Sequence, residues 1–353
     1  MGPTRAEPPP DALPAISPVA AYRLRWKRRR RLWRAVRSRQ ALTPVVDRTR
    51  RIAGDAILGF LCLRNEDARL PHLLRHYRGL GVDHFLVVDN DSDDATPARL
   101  ADQPDVSLWR TDASYRGSGF GIDWINWLLT RYGAGHWCLT VDADELLVWP
   151  DALPDLPALT ARLSALGRPA YGAVMLDLFP RAPLSDGPAP DDPLSVLRWY
   201  DAGPWQAVRQ RPMGNLWVQG GTRARAFFAH DPRRAPTLNK LPLLRWRRGM
   251  VYVNSTHAAL PRGLNGWYDG PGGAQPGGVL LHTKFLPGIV ARAAEERVRA
   301  QHFHTPAAFD DYYESLQAQP TLWHPGALRY DGPADLAANG LARALPDPVE
   351  SLR

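Results

Sequence analysis

The residues best suited to chemistry lie in one short stretch, where an apolar run ends in Asp142-Ala143-Asp144-Glu145. The preceding residues, Trp137 to Val141, predict a buried strand. Three carboxylates in four residues at the end of a buried strand are costly unless a cation neutralises them. Two Asp residues separated by one residue suit a hard divalent ion such as Mg2+ or Mn2+, which prefers oxygen ligands and often also holds phosphates. The alternative is a helix N-terminus with acidic caps, and the motif alone does not decide between them.

The elements that must position this motif alternate between strands and helices from residue 55 onward. Ala56 to Leu63 is an unbroken apolar run, which predicts a strand covered on both faces. Glu66 to Arg78 predicts an amphipathic helix, and His84 to Val88 a second strand. With a third strand at Val106 to Trp109, the pattern predicts an α/β fold with a mostly parallel sheet flanked by helices. In such sheets ligands bind beyond the carboxyl ends of the strands.

Polar and acidic residues follow three of the predicted strands. Arg64-Asn65-Glu66 follows the first strand, Asp89 to Asp94 the second, and the D-x-D motif at Asp142 the fourth. Taken alone, Asp89 to Asp94 also fits a solvated turn before a helix cap. The recurrence at three strand ends favours a binding site at that edge of the sheet.

Composition bounds the class of protein. No window approaches ~18 consecutive apolar residues, so no transmembrane helix is predicted. The N-terminus lacks the apolar core of a signal peptide, which predicts a cytoplasmic protein. The two cysteines, Cys62 and Cys138, lie in apolar runs and do not indicate a zinc site.

The positive charge is concentrated at the N-terminus. Residues 1–54 hold 14 Lys or Arg and 3 Asp or Glu, whereas the remainder holds 30 basic and 33 acidic residues. We predict that residues 1–54 form a disordered, Pro-rich and basic arm. Within it, residues 22–39 contain ten basic residues and two Trp, which indicates a peripheral anchor on the anionic inner face of the cell membrane. A nucleic-acid-binding arm and a solvated tail are the alternatives.

The rest of the chain predicts one domain over residues 55–317 and a tail over residues 318–353. Residues 55–150 form the more regular half, and residues 151–317 an irregular half. In the second half, Leu216 to Phe228 predicts a strand with a bend at Gly220-Gly221. Gly263 to Gly278 is Gly-rich and predicts a mobile loop.

Seven short motifs resemble, in this order, segments of family 2-like glycosyltransferases with the GT-A fold. The three that resemble nucleotide-sugar signatures are Cys62 to Glu66, Val87 to Asp94, and Val141 to Glu145. The four that resemble a bacterial branch related to family 92 are Gly220 to Arg225, Lys240 to Leu243, Ser255 to His257, and His282 to Phe285. The resemblance covers about residues 55 to 317. It implies a metal-dependent hexosyltransferase, usually inverting, that moves a sugar from a nucleotide-diphosphate donor to a cell-surface glycan or lipid-linked acceptor in polysaccharide biosynthesis.

The resemblance also implies roles for the donor-binding residues. Asp89 would receive the nucleotide base, and the residues that would lie along the base and ribose are Arg64, Asn65 and Glu66. The residues 55–150 would then be the nucleotide-sugar-binding half, and residues 151–317 the acceptor half.

The metal and diphosphate residues are implied in the same way. Asp142 would lie near the ribose or the metal, Asp144 would bind Mn2+ or Mg2+, and His282 would complete the metal shell. A hydrogen-bonded structural role for His282 is the alternative. Three cations could neutralise the leaving diphosphate or form an exposed basic face, and these are Arg223, Arg225 and Lys284.

The general base is less well marked. Many relatives carry it in a Glu-Asp pair after the D-x-D motif, and no clear pair occurs between Pro150 and Gly278. His257 is the best candidate, because His suits proton abstraction near neutral pH. Asp201 and Asp177 are alternatives, and a structural role for His257 stays open.

Two other classes of protein compete with this interpretation. A sugar nucleotidyltransferase on a similar sheet would carry a Gly-rich basic loop after the first strand, where this chain has Arg64-Asn65-Glu66. A nucleic-acid-binding protein would act through its arm with steep salt dependence, and would leave the D-x-D motif unexplained. A nucleic-acid partner is therefore disfavoured.

Overall fold

The computed structural model describes residues 13–150, 152–299 and 310–346, and within them the strands form one nine-stranded sheet and three two-stranded sheets. The strands are β1 Thr43–Val46, β2 Ile57–Leu63, β3 His84–Asp89, β4 Val106–Arg110, β5 Trp137–Thr140, β6 Glu145–Val148, β7 Ala170–Asp177, β8 Trp199–Tyr200, β9 Trp205–Arg209, β10 Leu216–Gly220, β11 Asn239–Arg245, β12 Val251–Tyr252, β13 Ala259–Leu260, β14 Gly277–His282 and β15 Leu328–Arg329. The α-helices are α1 Pro18–Ser38, α2 Leu70–Gly79, α3 Thr96–Ala101, α4 Ile122–Leu128, α5 Leu156–Ala165, α6 Gly221–Phe227, α7 Ile289–Arg299, α8 Asp310–Gln317 and α9 Pro333–Ala338.

The large sheet has the strand order β1-β4-β3-β2-β5-β11-β7-β14-β6. Strands β4, β3, β2 and β5 pair in parallel, and β14 pairs in parallel with β7. Strands β1, β11 and β6 run the opposite way, so six of the nine strands share one direction. This arrangement confirms the predicted α/β fold with a mostly parallel sheet flanked by helices.

The first half of the sheet forms for the reasons that the sequence indicated. β2 is buried along nearly its whole length, and Gly59 allows close packing, because a Cβ there would lie 2.7 Å from the Phe85 ring. α2 begins at Leu70, later than the predicted start at Glu66. Its buried face has the spacing of an amphipathic helix and consists of Leu70, Leu73, Leu74 and Tyr77.

Strand β11 lies between β5 and β7 and runs antiparallel to both. It contains Pro242, which cannot donate a hydrogen bond to a neighbouring strand. The register against β7 shifts between Lys240 and Leu243, and this irregularity accommodates the proline. Because β11 is antiparallel, its first residues lie at the same edge as the carboxyl ends of β2, β3 and β5. Lys240 therefore enters the region where the sequence predicted a binding site.

The N-terminal segment differs from the predicted disordered arm wherever the structure describes it. α1 spans 21 residues and packs against α4, and β1 pairs with the edge strand β4. Leu24 and Ala35 are buried, and the Arg34 guanidinium lies 2.6 Å from the Asp123 carboxylate. Burial and this ion pair supply the interactions that composition could not reveal. Residues 1–12 lie outside the described residues.

The second half is more regular than predicted. Leu216 to Phe228 forms β10 and then α6, because Gly220 and Gly221 turn the backbone with φ values of 144° and 59°. Such φ values favour glycine. In the predicted tail, β15 pairs with β8 and Leu322 is buried, while residues 347–353 lie outside the described residues. The predicted domain limits stay predictions.

No helix among the described residues has both the length and the apolar composition that crossing a lipid bilayer requires.

Candidate functional site

A cleft with a volume of about 660 Å³ opens where the carboxyl ends of β2, β3 and β5 meet the start of β11. Nine of the twelve residues predicted from the sequence line it, namely Arg64, Asn65, Glu66, Asp142, Asp144, Arg223, His257, His282 and Lys284. The three that do not line it are Asp89, Asp201 and Arg225. The fold thus brings together in one cleft residues more than two hundred positions apart in the chain, such as Arg64 and Lys284.

The D-x-D motif is neutralised by an ammonium group of the protein itself. Lys240 Nζ lies 2.8 Å from the Asp142 carboxylate and 2.9 Å from that of Glu145. Lys240 and Glu145 side chains are 3% and 0% exposed, whereas that of Asp142 is 52% exposed. Burial raises the pKa of Glu145, and the neighbouring Asp142 raises it further against the opposing effect of Lys240. This role of Lys240 could not be predicted from the sequence, because its contact with Asp142 spans 98 residues.

The second Asp of the motif begins a buried chain of charged groups. Asp144 lies 3.0 Å from Nε2 of His282, and the other ring nitrogen, Nδ1, lies 2.6 Å from Asp177. Arg223 Nε donates to Asp177 at 2.8 Å. Burial opposes the charge on His282, but the two carboxylates outweigh it and raise the pKa of the imidazole. Burial also opposes ionisation of Asp177, and Arg223 outweighs it so that the pKa of the carboxyl is lowered.

The loop after β2 is held by its neighbours. Asn65 adopts φ 52°, a left-handed conformation that Asn tolerates, and its N–H donates to Ser92 Oγ at 2.9 Å. Arg64 donates to the carbonyl of Asp91 at 2.6 Å. Glu66 accepts from Arg69 and from Arg292, both at 2.9 Å. These bonds fix the loop before any ligand is bound.

Asp89, predicted to receive the nucleotide base, is fully buried and does not line the cleft. Its carboxylate accepts from the hydroxyl and the backbone N–H of Ser92. It therefore shapes the loop after β3, and the cleft residue at this strand end is its neighbour Asn90. Asn90 donates its side-chain amide to the carbonyls of Thr111 and Ala113. A direct contact of Asp89 with the base stays a prediction.

His257, the predicted general base, lines the cleft next to Lys240. Its Nδ1 lies at hydrogen-bond distance from the carbonyl of Asn239, so Nδ1 carries the proton and Nε2 is the acceptor in the neutral ring. Burial and the Lys240 ammonium lower the pKa of His257 to about 3. The ring is therefore neutral at physiological pH and is a weak proton acceptor.

Asp201 and Arg225 lie together, outside the residues that line the cleft. Arg225 Nε donates to Asp201 at 2.9 Å and its Nη2 donates to the carbonyl of Leu322 at 2.7 Å. His324 also contacts Asp201, at 2.7 Å. This cluster attaches residues 322–324 to the body of the protein, and the structure does not bring it to the cleft.

The cleft is cationic. Seven Lys or Arg side chains line it against four Asp or Glu, although residues 55–353 as a whole carry more acidic than basic residues. Besides the predicted cations, the lining includes Arg69, Arg234, Lys240 and Arg292. Arg69 is 5% exposed, and the charges of Glu66 and Asp144 outweigh burial and raise its pKa. Such a cleft suits an anionic ligand.

The three residues predicted to bind a metal do not form a ligand set in this arrangement. Among the described residues, no group of three or more His, Cys, Asp or Glu side chains is arranged to hold a metal ion. Both nitrogens of His282 are engaged by carboxylates, and Asp142 is paired with Lys240. The oxygen donors suit Mg2+ or Mn2+ chemically, yet their present partners are protein cations.

Comparison with known proteins finds remote structural similarity. No family model and no curated protein matches it. A 4-diphosphocytidyl-2C-methyl-D-erythritol synthase is 20% identical with a TM-score of 0.23, and the match covers 36% of this chain and 64%, just under two thirds, of that one. The mannosyltransferase PcManGT from Pyrobaculum calidifontis, in complex with GDP-Man and Mn2+, is 17% identical with a TM-score of 0.31, and the match covers 95% of this chain and 88% of that one. Likenesses at these TM-scores assign no function to this chain.

Proposed function

We propose that the protein is a glycosyltransferase that takes a sugar from a nucleotide-diphosphate donor. The observation that carries this proposal is the cationic cleft at the carboxyl ends of the parallel strands, with the D-x-D motif in its wall. The site in α/β sheets is expected at this edge. Seven basic and four acidic side chains line the cleft, and this excess of positive charge suits an anion such as a nucleotide diphosphate. The resemblance of the strand-end motifs to family 2-like and family 92-related enzymes agrees with this assignment.

Donor binding would use both walls of the cleft. The loop Arg64-Asn65-Glu66 would lie along the base and ribose. Its backbone is already held by hydrogen bonds from Asn65 to Ser92 and from Arg292 to Asn65, so it would need little rearrangement on binding. On the opposite wall, Arg223 and Lys284 would meet the diphosphate. The Asp177 carboxylate fixes the Arg223 guanidinium through bonds of 2.8 Å, so its charge would be in place before the leaving group develops negative charge.

The acceptor hydroxyl would lose its proton to a group on the face opposite the diphosphate, with inversion at the sugar carbon. His257 has a free Nε2 lone pair in the neutral tautomer, which is the correct state for this task. Its lowered pKa makes it a weak base, so we propose that it positions the hydroxyl and takes the proton late in the reaction. The proposed acceptor is a cell-surface glycan or a lipid-linked sugar.

A divalent metal ion would be held by the two Asp residues of the D-x-D motif. Asp142 and Asp144 are the oxygen donors, and Lys240 and His282 are the groups that now neutralise them. A metal ion would have to displace or join these cations.

The test is calorimetric binding of UDP, GDP, CDP and dTDP, each with EDTA, Mg2+ or Mn2+. We expect one diphosphate to bind the wild type, and Lys284→Met to weaken it at least about tenfold, the effect of losing one charge-assisted hydrogen bond. Lys27→Met removes a lysine outside the cleft and serves as the control. Failure of all four diphosphates to bind the folded wild type under every metal condition would refute the proposal.

A second assay separates transfer from nucleotidyl chemistry. A glycosyltransferase releases nucleoside diphosphate from a sugar nucleotide. A sugar nucleotidyltransferase releases pyrophosphate from a nucleoside triphosphate and a sugar phosphate. Pyrophosphate release without diphosphate release would favour the nucleotidyltransferase.

A further inference from the structure

Helix α1 presents apolar residues on two opposite faces. The inward stripe has the spacing of one helical face and contains Leu24, Arg28, Arg31, Ala35 and Ser38, which are buried or half-buried. The opposite stripe contains Val19, Tyr22, Trp26, Trp33 and Val36, all exposed. Positions 19, 22, 26, 33 and 36 follow the three- and four-residue steps of a single helical face. A helix that needed only to pack on the protein would have a polar outer face.

The inward face is anchored by a buried carboxylate. Asp123 on α4 has a side chain that is 3% exposed and lies 2.6 Å from Arg34 and 3.7 Å from Arg31. Ser38 donates to the backbone carbonyl of Asp123 at 3.1 Å. These contacts fix the rotation of α1 about its axis. The aromatic stripe is therefore held outward by the fold.

The outward face concentrates exposed apolar surface. Of the eight large hydrophobic residues that are exposed within the described chain, five lie on this stripe. Val19, Tyr22 and Trp33 are 60%, 58% and 59% exposed, and Trp26 is 51% exposed. Exposed apolar residues that share one face mark an interaction surface, whereas scattered ones do not.

The charge on α1 identifies the partner. Its 21 residues contain nine Lys or Arg, and its first turn holds no acidic residue. Arg29 lies over the Trp26 ring at 5.6 Å and Arg37 over the Trp33 ring at 5.4 Å. Guanidinium groups beside indole rings suit the boundary between anionic headgroups and acyl chains. A straight helix of about 30 Å can lie along such a plane over its full length.

We propose that the outward face of α1, defined by Val19, Tyr22, Trp26, Trp33 and Val36, docks on an anionic membrane surface. The aliphatic members of this face favour a lipid surface over a nucleic acid, which would use the basic groups and gain little from Val19 and Val36. The proposal does not depend on the proposed function, because the membrane contact and the cleft use different residues.

The docked helix also orients the cleft. Arg34 Nη2 donates to the carbonyl of Gly117 at 2.9 Å, within the loop that joins β4 to α4. Tyr115 and Phe120 of the same loop line the cleft. Membrane docking would thus hold one wall of the cleft close to the bilayer, where a lipid-linked acceptor is located. This last step rests on the proposed function.

The test is co-sedimentation of the full chain with vesicles of phosphatidylcholine alone and of phosphatidylcholine with an equal part of phosphatidylglycerol. We expect binding to the anionic vesicles that weakens with salt. Trp26→Ser/Trp33→Ser should reduce the partition coefficient at least about tenfold, since two aromatic rings that would enter the bilayer interface are lost. Trp26→Phe/Trp33→Phe should retain most of the binding. Val196→Ser/Val208→Ser removes exposed apolar residues elsewhere and should have no effect.

The basic residues of α1 provide a second test of membrane docking. Arg23→Glu/Arg30→Glu should abolish binding to anionic vesicles, while Arg247→Glu/Arg248→Glu, an equal change in charge outside α1, should not. Two results would overturn the proposal. One is an absence of binding to anionic vesicles by the folded wild type. The other is tight binding of a duplex oligonucleotide that the serine double variant retains and that vesicles do not compete away.

Discussion

Replacement of Lys240 by methionine is the sharpest test of how the acidic motif is stabilised. The change keeps the length of the side chain but removes the charge that lies 2.8 Å from Asp142 and 2.9 Å from Glu145. Asp142 is 52% exposed, so water can solvate its carboxylate when the ammonium is removed. We therefore assign the contact between Lys240 and Asp142 at most about 1 kcal/mol. Glu145 is 0% exposed and cannot recruit water. Leaving such a carboxylate without its partner costs about 3–5 kcal/mol.

The assay is equilibrium unfolding in denaturant of wild type, Lys240→Met, Glu145→Gln and the double variant, at a pH above the raised pKa of Glu145, so that its carboxyl group is ionised. We expect Lys240→Met to lower the free energy of unfolding by about 3–5 kcal/mol. In the double variant no buried carboxylate is left without a partner, and only the half-exposed Asp142 loses its cation. The loss should therefore be smaller than the sum of the two single losses by about 2 kcal/mol or more. The control Lys27→Met, at an exposed position, should stay within about 0.5 kcal/mol of the wild type. Strictly additive losses, or a loss below about 1 kcal/mol for Lys240→Met, would show that Lys240 does not compensate the buried charge of Glu145.

Two further predictions concern stability. Burial lowers the pKa of His76 from 6.5 to about 4; the unfolded chain therefore takes up the proton first, and stability should fall by up to about 3 kcal/mol as the pH drops from 6.5 to 4. The free energy of unfolding of His76→Gln, measured across this pH range, should fall less steeply than that of the wild type. An equally steep fall in the variant would show that His76 is not the group responsible. Gly172→Ala would place a Cβ 2.3 Å from that of Tyr268 and should cost about 1–3 kcal/mol. Gly54→Ala, which meets nothing within 4 Å, is its control, and equal stabilities of the two variants would show that the contact can relax.

Much of the first half of the fold follows from local sequence. β2, β3 and β5 are short apolar runs, and α2 has a regular apolar face, so the pattern of neighbouring residues is enough to predict them. β11 could not be predicted in this way, because Pro242 argues against a strand unless the register shift beside it is known. The packing of α1 could not be predicted either, because it depends on Asp123, which lies 89 residues from Arg34.

The candidate site, like the fold, could be predicted from the sequence only in part. The strand-end rule predicted the edge of the sheet at which the cleft opens, since it uses only topology. It could not identify the partners of each charge. Glu145 and Lys240 meet because β11 runs antiparallel into the acidic edge. Asp177, considered as a base, is instead paired with Arg223. Pairings between distant strands depend on register, which composition and spacing do not contain.

Strand β1 has a consequence for how the protein avoids self-association. It is four residues long, pairs only with β4 among the described strands, and carries an irregularity between Pro44 and Val46. An edge that is short, kinked and interrupted by a proline offers few backbone groups to a second chain. A shortened protein beginning at residue 55 would instead expose the backbone of Val106–Arg110 along a regular apolar strand. The N-terminal segment therefore covers β4 and disfavours edge-to-edge aggregation.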